Sequence, residues 1–558
     1  MEDLQETIKE EKISYFSMEI GLSNEIHTYS GGLGVLAGDT IRASADLKLP
    51  LVAVTLVSKK GYFRQELTHD GRQIEYPQEW NPFQFMKLLP VETSVQIQDR
   101  NVRIKAWLYR VQSITGGMVP VLFLDTDVEG NTPEDREIAF FLYGGDEKYR
   151  LRQEIVLGIG GVRMLDALGF KIRRYHMNEG HSSLLALELL NRYGMNLERV
   201  RESCIFTTHT PVEAGHDRFS YDTVREILGQ NTDLEVLKRF SGYDELNMTR
   251  LALNLSNYIN GVAKKHREVS RQMFPGYEIH AITNGIHSYT WTCRDFKKLY
   301  DKYLPGWAND PDLLVRVDSI PDEDIWQAHE EAKKVLIDHV NNATNVGMDY
   351  DTLTLGFARR ATEYKRANLL FSDVEKLRKA NRQGKMQLIF AGKAHPRDDS
   401  GKRLIKETFD YIERLKNEIK IVYLENYDME LAATLISGVD VWLNTPLQPM
   451  EASGTSGMKA AHNGVINFSV LDGWWIEGWI EGVTGWAIGF HPDDHRSLEE
   501  SQLRELDDLY SKLENVVIPM FYQKRADWIK MMKNSIGKIA YYFNSHRMMH
   551  RYVTEAYL

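Results

Sequence analysis

One lysine stands out in this sequence because of the residues around it. Lys459 ends the run Glu451-Ala-Ser-Gly-Thr-Ser-Gly-Met-Lys459, which follows an apolar stretch at 439–443 and precedes a short helical pattern that stops at Gly464. A strand, a Gly/Ser/Thr loop and a helix N-terminus favour an anion site, since the first N–H groups of a helix lack internal partners. A lysine there can pair with a phosphate or bind an aldehyde cofactor as a Schiff base. The alternative is a capped surface helix with a solvated lysine.

Two arginines and a lysine follow another predicted strand. Arg359, Arg360 and Lys365 come just after an apolar run at 352–357, within a stretch in which basic residues outnumber acidic ones. Side chains at the carboxyl end of a parallel strand point at the crevice where ligands bind. Arg360 and Lys365 could therefore clamp a dianion such as phosphate, the arginine through two parallel hydrogen bonds. The alternative is a solvated basic helix face.

Three further segments lie at predicted strand ends. Ser30-Gly-Gly-Leu-Gly34 opens a helix, and its glycines would let a ligand approach the backbone, although a glycine cluster alone is a weak signal. Thr208-His209-Thr-Pro211 and Thr283-Asn284-Gly-Ile286 each leave a strand through a turn. A satisfied core residue is the commoner role for such a histidine or asparagine. The segment His176-Met-Asn-Glu-Gly-His181 matches no zinc motif, and we interpret it as a hydrogen-bonded strand-to-helix corner.

These segments need a scaffold, and the hydrophobic pattern predicts an α/β fold, since short apolar runs alternate with longer amphipathic stretches. Predicted strands are at 13–17, 51–57, 120–125, 204–208, 279–283, 352–357, 386–392, 420–424, 439–443 and 465–469. Predicted helices are at 149–168, 250–271, 323–341, 362–383, 401–418 and 429–437, and the tail from 498 onward is helical in pattern. The stretch 289–351 shows no strong strand pattern, so it is the candidate boundary between two halves of the chain. Two doubly wound domains with a cleft between them are therefore expected.

Composition limits the function classes. The 558 residues, 43% hydrophobic and 26% charged, suit a globular enzyme of two or more domains, and the net charge of −11 argues against a general nucleic-acid binder. Cys204 and Cys293 are too few for a disulfide framework or a metal ligand set, which favours buried thiols in a reducing compartment. The N-terminus is too acidic for a signal peptide, and no apolar run approaches the ~20 residues that span a bilayer. We therefore expect a cytoplasmic protein with no nucleic-acid or membrane partner, and homo-oligomer formation is left open.

In their order along the chain, these segments resemble the α-glucan phosphorylase family (glycogen, starch and maltodextrin phosphorylases). They are most similar to its short microbial branch, in which Glu-Ala-Ser-Gly-Thr-Ser-Gly-Met-Lys is characteristic. Besides that run, the matching segments are Tyr29-Ser-Gly-Gly-Leu-Gly34, Leu124-Asp-Thr-Asp127, Leu142-Tyr-Gly-Gly-Asp146, Arg152-Gln-Glu-Ile155, Thr208-His-Thr-Pro211, Thr283-Asn-Gly-Ile286, Glu363-Tyr-Lys-Arg366 and Glu425-Asn-Tyr427.

The resemblance implies a GT-B architecture, with two Rossmann-like domains and an interdomain catalytic cleft. The expected parts are a glucan-binding domain at 1–315, a domain that binds pyridoxal 5′-phosphate (PLP) at 316–535, and a C-terminal helix at 536–558 that crosses back to the first domain. The implied reaction is retaining phosphorolysis of α-1,4-glucans or maltodextrins from the non-reducing end by inorganic phosphate, releasing α-D-glucose 1-phosphate. PLP would form a Schiff base with Lys459, and its phosphate would act in the proton path instead of its ring.

The resemblance also implies three sets of site residues and no metal. The catalytic set is His209, Arg360, Lys365 and Lys459. The residues implied around the cofactor phosphate, besides Lys459, are Arg359, Tyr427, Thr455 and Ser456. The substrate-binding set comprises the Gly32 and Leu33 backbone, Asn284, Tyr364, Glu451, Ser453 and Gly454.

The chain departs from longer family members at several positions. Thr362 stands where many have histidine, Asp428 stands where many have arginine, and Leu471-Asp-Gly-Trp-Trp475 replaces their Asp-Gly-Ala-Asn. The N-terminal region that carries phosphoserine and nucleotide control in animal enzymes is absent from this sequence. We therefore predict no such regulation and no glycogen storage site.

Two alternatives compete with a phosphorylase. A nucleotide-sugar-dependent glycogen or starch synthase-like glucosyltransferase shares the fold, a Gly-Gly-Leu-Gly loop and a glutamate near the position of Glu451. Such an enzyme needs no Schiff-base lysine, so Lys459 favours the phosphorylase. A catalytically dead glucan-binding protein is the second alternative, and the intact Arg360, Lys365 and His209 argue against it.

Overall fold

The computed structural model describes residues 8–229, 233–494 and 497–558. The strands within these residues, numbered in chain order, are β1 (Glu11–Ser17), β2 (Leu51–Leu56), β3 (Arg64–Leu67), β4 (Gln73–Tyr76), β5 (Lys87–Ile97), β6 (Arg100–Gln112), β7 (Met118–Asp125), β8 (Lys171–Asn178), β9 (Cys204–Thr207), β10 (Arg218–Ser220), β11 (Glu245–Asn247), β12 (Tyr258–Gly261), β13 (His280–Ala281), β14 (Leu353–Ala358), β15 (Met386–Ala391), β16 (Lys420–Leu424), β17 (Val441–Asn444), β18 (Ile466–Val470) and β19 (Gly485–Ile488).

The helices are α1 (Gly32–Asp46), α2 (Pro133–Arg136), α3 (Glu147–Ile155), α4 (Gly161–Ala167), α5 (Leu184–Arg192), α6 (Leu197–Ser203), α7 (Tyr221–Leu228), α8 (Leu234–Ser241), α9 (Met248–Asn254), α10 (Lys264–Met273), α11 (Ser288–Trp291), α12 (Arg294–Tyr303), α13 (Asp322–Thr344), α14 (Val374–Gln383), α15 (Asp399–Leu415), α16 (Met429–Gly438), α17 (Ser456–His462), α18 (Trp475–Gly478), α19 (Leu498–Lys512), α20 (Ile518–Gln523), α21 (Arg525–Asn534) and α22 (Ser545–Tyr552). Among the residues described, no helix combines the length and apolar character needed to cross a membrane.

The chain divides into two compact units. The first comprises Met1–Phe63, Pro77–Thr283 and Met548–Leu558, and the second comprises Arg64–Tyr76 and Asn284–Arg547. The sequence predicted a boundary after residue 315 and a separate segment from residue 536. The compact units divide at Thr283, and the domain bounds expected above stay a prediction. The hairpin of β3 and β4 groups with the second unit because Gln65 and Leu67 hydrogen-bond to Gly392 and Glu425.

The first unit is built on a mixed sheet in the order β13-β12-β9-β8-β1-β2-β7-β6-β5. Strands β1, β2, β7, β8, β9, β12 and β13 run parallel, and β5 and β6 add an antiparallel edge. All residues of β2 are buried, as expected for a parallel strand covered on both faces. The C-terminal residues also pack into this unit, where Met548 and Tyr557 join a core with Ile205 and Ile282.

The second unit is built on a fully parallel sheet in the order β16-β15-β14-β17-β18-β19. Its central strands are almost purely apolar runs, such as Leu353–Ala358 in β14, and every residue of β14 is buried. The connections place the carboxyl ends of β14, β17 and β18 side by side. Loops that leave these three ends therefore carry side chains to one edge of the sheet.

Most predicted elements are confirmed, and the α/β class with them. All ten predicted strands appear, with ends that shift by a few residues, and α13 and α16 match their predicted helices closely. The single helix predicted at 250–271 is wrong, because strand β12 separates α9 from α10. The helix predicted at 362–383 begins only at Val374, where the Asp373 side chain accepts a hydrogen bond from the Lys376 N–H and caps it.

Two smaller predictions have different outcomes. The corner predicted at 176–181 is confirmed, since β8 ends at Asn178 and a 3₁₀ turn follows at Gly180–Ser182. The prediction of two buried thiols is right for Cys204, but Cys293 is only half-buried.

Candidate functional site

Two cations of the second unit converge on one carboxylate. Arg359 leaves the end of β14, Lys365 lies in the 3₁₀ turn Glu363–Lys365, and Glu451 lies in the loop between β17 and α17. Arg359 Nη2 and Lys365 Nζ both donate to Glu451 Oε2, at 2.5 and 2.6 Å. All three side chains are at most 10% exposed. Burial acts to raise the pKa of Glu451, but the two cations more than offset it and lower that pKa to about 2.

Arg359 and Lys365 make further contacts near Glu451, whereas the neighbouring Arg360 is exposed. Arg359 Nη1 also donates to Asn444 Oδ1 at the end of β17, so two strand ends share this arginine. Lys365 Nζ lies 4.5 Å from the ring centroid of the half-buried Tyr364. Arg360, the other predicted phosphate ligand, is exposed. Of the predicted pair, only Lys365 therefore belongs to the buried cluster around Glu451.

Lys459 lies inside the second unit, 6% exposed, on the fourth residue of α17. Its Nζ lies 3.5 Å from the ring centroid of Trp291. The helix ends at His462, and Gly464 follows with φ +68, which confirms the stop expected there. A solvated surface lysine, the alternative weighed for this position, does not match this burial.

Two of the residues expected around a cofactor phosphate, Thr455 and Ser456, lie at the start of the helix that carries Lys459. Thr455 precedes α17 and makes no side-chain cap, and the Ser456 hydroxyl accepts a hydrogen bond from Trp442 Nε1 at 3.0 Å. Tyr427 is half-buried, and burial raises the pKa of its hydroxyl, an effect that nearby Arg359 partly opposes. Hydroxyls, an arginine and a buried lysine are the donor set that a phosphorylated aldehyde requires, so the residues present fit PLP.

A second loop braces the segment that carries Glu451. Asp472, 2% exposed, accepts hydrogen bonds from the Glu451 N–H at 2.8 Å and the Gly473 N–H at 2.9 Å. The Trp474 N–H donates to the Ser453 carbonyl at 2.9 Å, and Gly473 has φ +54. A Cβ on Gly473 would lie 2.2 Å from that carbonyl oxygen, so only glycine permits this approach. Burial raises the pKa of Asp472 to about 7, and the charge of Glu451 adds to the effect.

Gly454, the last substrate residue predicted in this loop, has φ +77 and lies between Trp474 and the Glu451 side chain. Asn284, at the start of the second unit, is 4% exposed. Its backbone carbonyl accepts a hydrogen bond from Arg547 Nη2 at 3.0 Å, whereas its Oδ1 has no donor among the residues described. A buried amide oxygen without a donor is well suited to a hydroxyl-bearing ligand.

In the first unit, the predicted glycine loop is held by a carboxylate that the sequence reasoning missed. Helix α1 begins at Gly32, and Glu19 Oε2 accepts hydrogen bonds from the N–H groups of Ser30 at 2.6 Å and Gly31 at 3.2 Å. A Cβ on Gly34 would lie 2.6 Å from this oxygen, whereas one on Gly32 would have nothing within 4 Å. As the first residues of a helix, Gly32 and Leu33 have N–H groups without intrahelical partners.

His209 follows β9 and is half-buried. Its Nε2 lies 2.6 Å from Asn178 Oδ1, and its backbone N–H donates to Glu179 Oε2 at 2.7 Å. Burial and the neighbouring histidines, chiefly His266, lower its pKa to about 3, so the imidazole is neutral at physiological pH. A neutral imidazole here can orient a hydroxyl, but it carries no charge to pair with phosphate.

Glu19, Asn444 and Asp472 contact expected site residues or the predicted glycine loop but were not themselves expected from the sequence. Only Asp472 had a signal, since it lies in a segment already noted as a departure from longer family members. The other two act through backbone or cation contacts that no spacing along the chain reveals.

Known proteins with similar sequences indicate the family of this chain. Residues 197–487 match the sequence profile of a family described as carbohydrate phosphorylase. A maltodextrin phosphorylase of Thermococcus litoralis is 41% identical over 98% of this chain and 70% of its own length. Glycogen phosphorylases of Aquifex aeolicus and Mycobacterium tuberculosis are 37% and 35% identical over 98% of this chain, and 86% and 70% of their own lengths are covered. The chain belongs to the carbohydrate phosphorylase family.

Proposed function

We propose that this protein is an α-glucan phosphorylase. It transfers the terminal glucosyl unit of an α-1,4-glucan to inorganic phosphate, with retention, and releases α-D-glucose 1-phosphate. The observation that carries the proposal is the convergence of Arg359 and Lys365 on Glu451, in the same loop that leads to the buried Lys459. The names of the relatives support the same activity. In this proposal the two units correspond to the two Rossmann-like domains of a GT-B enzyme.

The second unit would hold the two phosphate groups. PLP would be attached through Lys459 Nζ, with its phosphate among Arg359, Tyr427, Thr455 and Ser456, and when bound it supplies a phosphate that exchanges a proton. Burial of the lysine beside the Trp291 ring would keep this attachment away from water.

Inorganic phosphate would be held by Lys365 and Arg360. Lys365 Nζ donates to one carboxylate oxygen at 2.6 Å, and because an ammonium has three N–H donors, it could donate to a phosphate oxygen as well. Arg360, exposed at the end of β14, would add the second cation and set the orientation of the attacking oxygen. The phosphate would donate its proton to the glycosidic oxygen, and the same phosphate would then attack the sugar C1 from the same face.

The terminal glucose would be oriented by uncharged groups and one carboxylate. Glu451, Ser453 and Gly454 would contact its hydroxyls from the braced loop. Asn284 would accept a hydrogen bond through its Oδ1, which has no donor among the residues described. The neutral His209 would accept through a ring nitrogen or through its backbone carbonyl oxygen. Preorganised acceptors of this kind stabilise positive charge on the sugar without reorganisation. The N–H groups of Gly32 and Leu33 would approach the ligand from the open end of α1.

The test is a product assay on the wild-type holoenzyme and on Lys459→Ala. With maltodextrin and phosphate, the wild type is expected to release α-glucose 1-phosphate, and Lys459→Ala is expected to release none. Maltodextrin without phosphate, and a nucleotide-linked glucose as donor, should give no product. Transfer from the nucleotide sugar without phosphorolysis would support the synthase-like alternative, and undiminished phosphorolysis by Lys459→Ala would contradict the proposal.

A further inference from the structure

The corner between β8 and the turn at Gly180–Ser182 contains a strained residue. Glu179 has φ +70 and ψ 171, a backbone region that is essentially confined to glycine, yet it is only 6% exposed. A residue with a side chain is strained in this conformation, which persists only where surrounding contacts fix it. The contacts that fix Glu179 therefore indicate what the strain is for.

The Glu179 carboxylate joins the ends of two strands. Its Oε1 accepts a hydrogen bond from the Gly180 N–H at 3.0 Å. Its Oε2 accepts from the His209 N–H at 2.7 Å and the Thr210 hydroxyl at 3.0 Å. The Glu179 N–H donates to the Thr207 carbonyl at 2.9 Å. One buried side chain thus fixes the backbone of the turn that carries His209.

The neighbouring Asn178 determines which ring nitrogen of His209 bears the hydrogen. The Ser17 hydroxyl donates to the Glu19 carbonyl at 2.7 Å, so it can only accept from Asn178 Nδ2, which lies 3.1 Å away. The amide oxygen of Asn178 then faces His209 Nε2 at 2.6 Å, and an amide oxygen only accepts. In a neutral imidazole, a protonated Nε2 leaves Nδ1 as an acceptor.

We propose that Asn178 and Glu179 are positioning residues for His209, the first selecting its Nε2–H tautomer and the second fixing its backbone. This assignment rests on the proposed function, in which His209 orients the reacting sugar. Together the two residues would present an acceptor nitrogen and a fixed carbonyl to a ligand that offers hydroxyl groups. The strain at Glu179 is then a consequence of placing its carboxylate under the His209 N–H.

Four variants distinguish a role of Asn178 and Glu179 in positioning His209 from a role in folding. Asn178→Ala removes the acceptor, Asn178→Asp keeps it but adds a charge, and Glu179→Gly removes the carboxylate while relieving the backbone strain. Asn191→Asp, on the exposed side of α5, is the matched control. Each protein is labelled with ¹⁵N-histidine, and the His209 signals are assigned from their loss in His209→Gln. The readouts are the tautomer from the ¹⁵N shifts, the midpoint of thermal unfolding, and kcat and KM for phosphorolysis of maltodextrin.

We expect the Nε2–H tautomer in the wild type and in the control. Asn178→Ala should mix the tautomers and lower kcat/KM by about tenfold to hundredfold, the scale of a misplaced catalytic contact. Asn178→Asp should keep Nε2–H but raise the pKa of His209, so activity falls at acid pH and recovers at higher pH. Glu179→Gly should unfold near the wild-type temperature and still lose about a hundredfold in kcat/KM.

A merely structural corner gives a different pattern: lower unfolding temperatures, with unchanged tautomer and unchanged kcat/KM in the folded protein. That pattern would overturn the assignment. If Glu179→Gly does not fold, the variants Asn178→Ala and Asn178→Asp still test the assignment, because those substitutions leave the backbone of the corner intact. If the wild type shows no phosphorolysis, the proposed function fails, and the dependence of the His209 tautomer on Asn178 alone then confirms or refutes the assignment.

Discussion

Replacing Glu451 by glutamine tests the charge cluster of the second unit. The substitution keeps the shape of the side chain but removes the negative charge that Arg359 and Lys365 share. The pKa of Glu451 is lowered from 4.5 to about 2 in the folded protein. At about 1.4 kcal/mol per pKa unit, the ionised carboxylate stabilises the folded state by about 3 kcal/mol at neutral pH. The free energy of unfolding of Glu451→Gln should therefore be lower than that of the wild type by about this amount.

The pH dependence of this loss has a definite sign. A carboxylate with a depressed folded pKa contributes its full stability above the unfolded value of 4.5 and loses it as the pH falls toward about 2. The difference between wild type and Glu451→Gln should therefore be constant above pH 6 and shrink to about half by pH 3. Added phosphate should stabilise the variant more than the wild type, since a dianion can replace the missing charge between the two cations.

Urea unfolding followed by tryptophan fluorescence is the assay, because all tryptophans except Trp80 and Trp107 lie in the second unit. Glu418→Gln is the matched control, since the Glu418 carboxylate pairs with Arg378 at an exposed position. It should change the urea midpoint far less than Glu451→Gln does. Equal midpoints for Glu451→Gln and wild type at pH 7 would refute the reasoning that the two cations depend on this carboxylate.

Three further predictions follow from the same site. Lys365→Met should raise KM for phosphate at least about tenfold, whereas Lys379→Met at an exposed ion pair should leave KM unchanged; initial rates at varied phosphate decide this. Asp472 binds its proton more tightly when folded, with its pKa raised from 3.8 to about 7, so its contribution to stability is lost as pH rises through that range. Asp472→Asn should flatten this slope in urea midpoints, and an unchanged slope would contradict the assignment. Gly34→Ala should lower stability by about 1–3 kcal/mol because of its close carboxylate neighbour, whereas Gly32→Ala should not.

The fold could be predicted where local pattern and structure agree. The apolar run of β14 and the strand, Gly/Ser/Thr loop and helix around Lys459 predicted a sheet edge with a ligand site, and β14 and α17 appear there. The helix predicted at 250–271 failed because β12 is short, and its Tyr-Ile-Asn-Gly sequence has too few residues to break a helical pattern clearly. Tertiary pairing with β9 and β13 gives this segment its strand conformation.

The site could be predicted in its components but not in its internal contacts. Sequence reasoning named Arg359, Lys365 and Glu451, yet it assigned the lysine to phosphate together with Arg360, which is exposed. The hydrogen bond from the Glu451 N–H to Asp472 could not be predicted, because it joins residues that are separated along the chain and involves a main-chain group. The partner of His209 was hidden for the same reason, since Asn178 lies on a different strand.

We propose above that Lys459 carries PLP beside the cations that bind phosphate. Reduction of the wild-type holoenzyme with borohydride, followed by peptide mass mapping, tests this claim most directly. We expect a single pyridoxyl group on the peptide that contains Lys459. A fully active enzyme whose Lys459 is unmodified after reduction would contradict it.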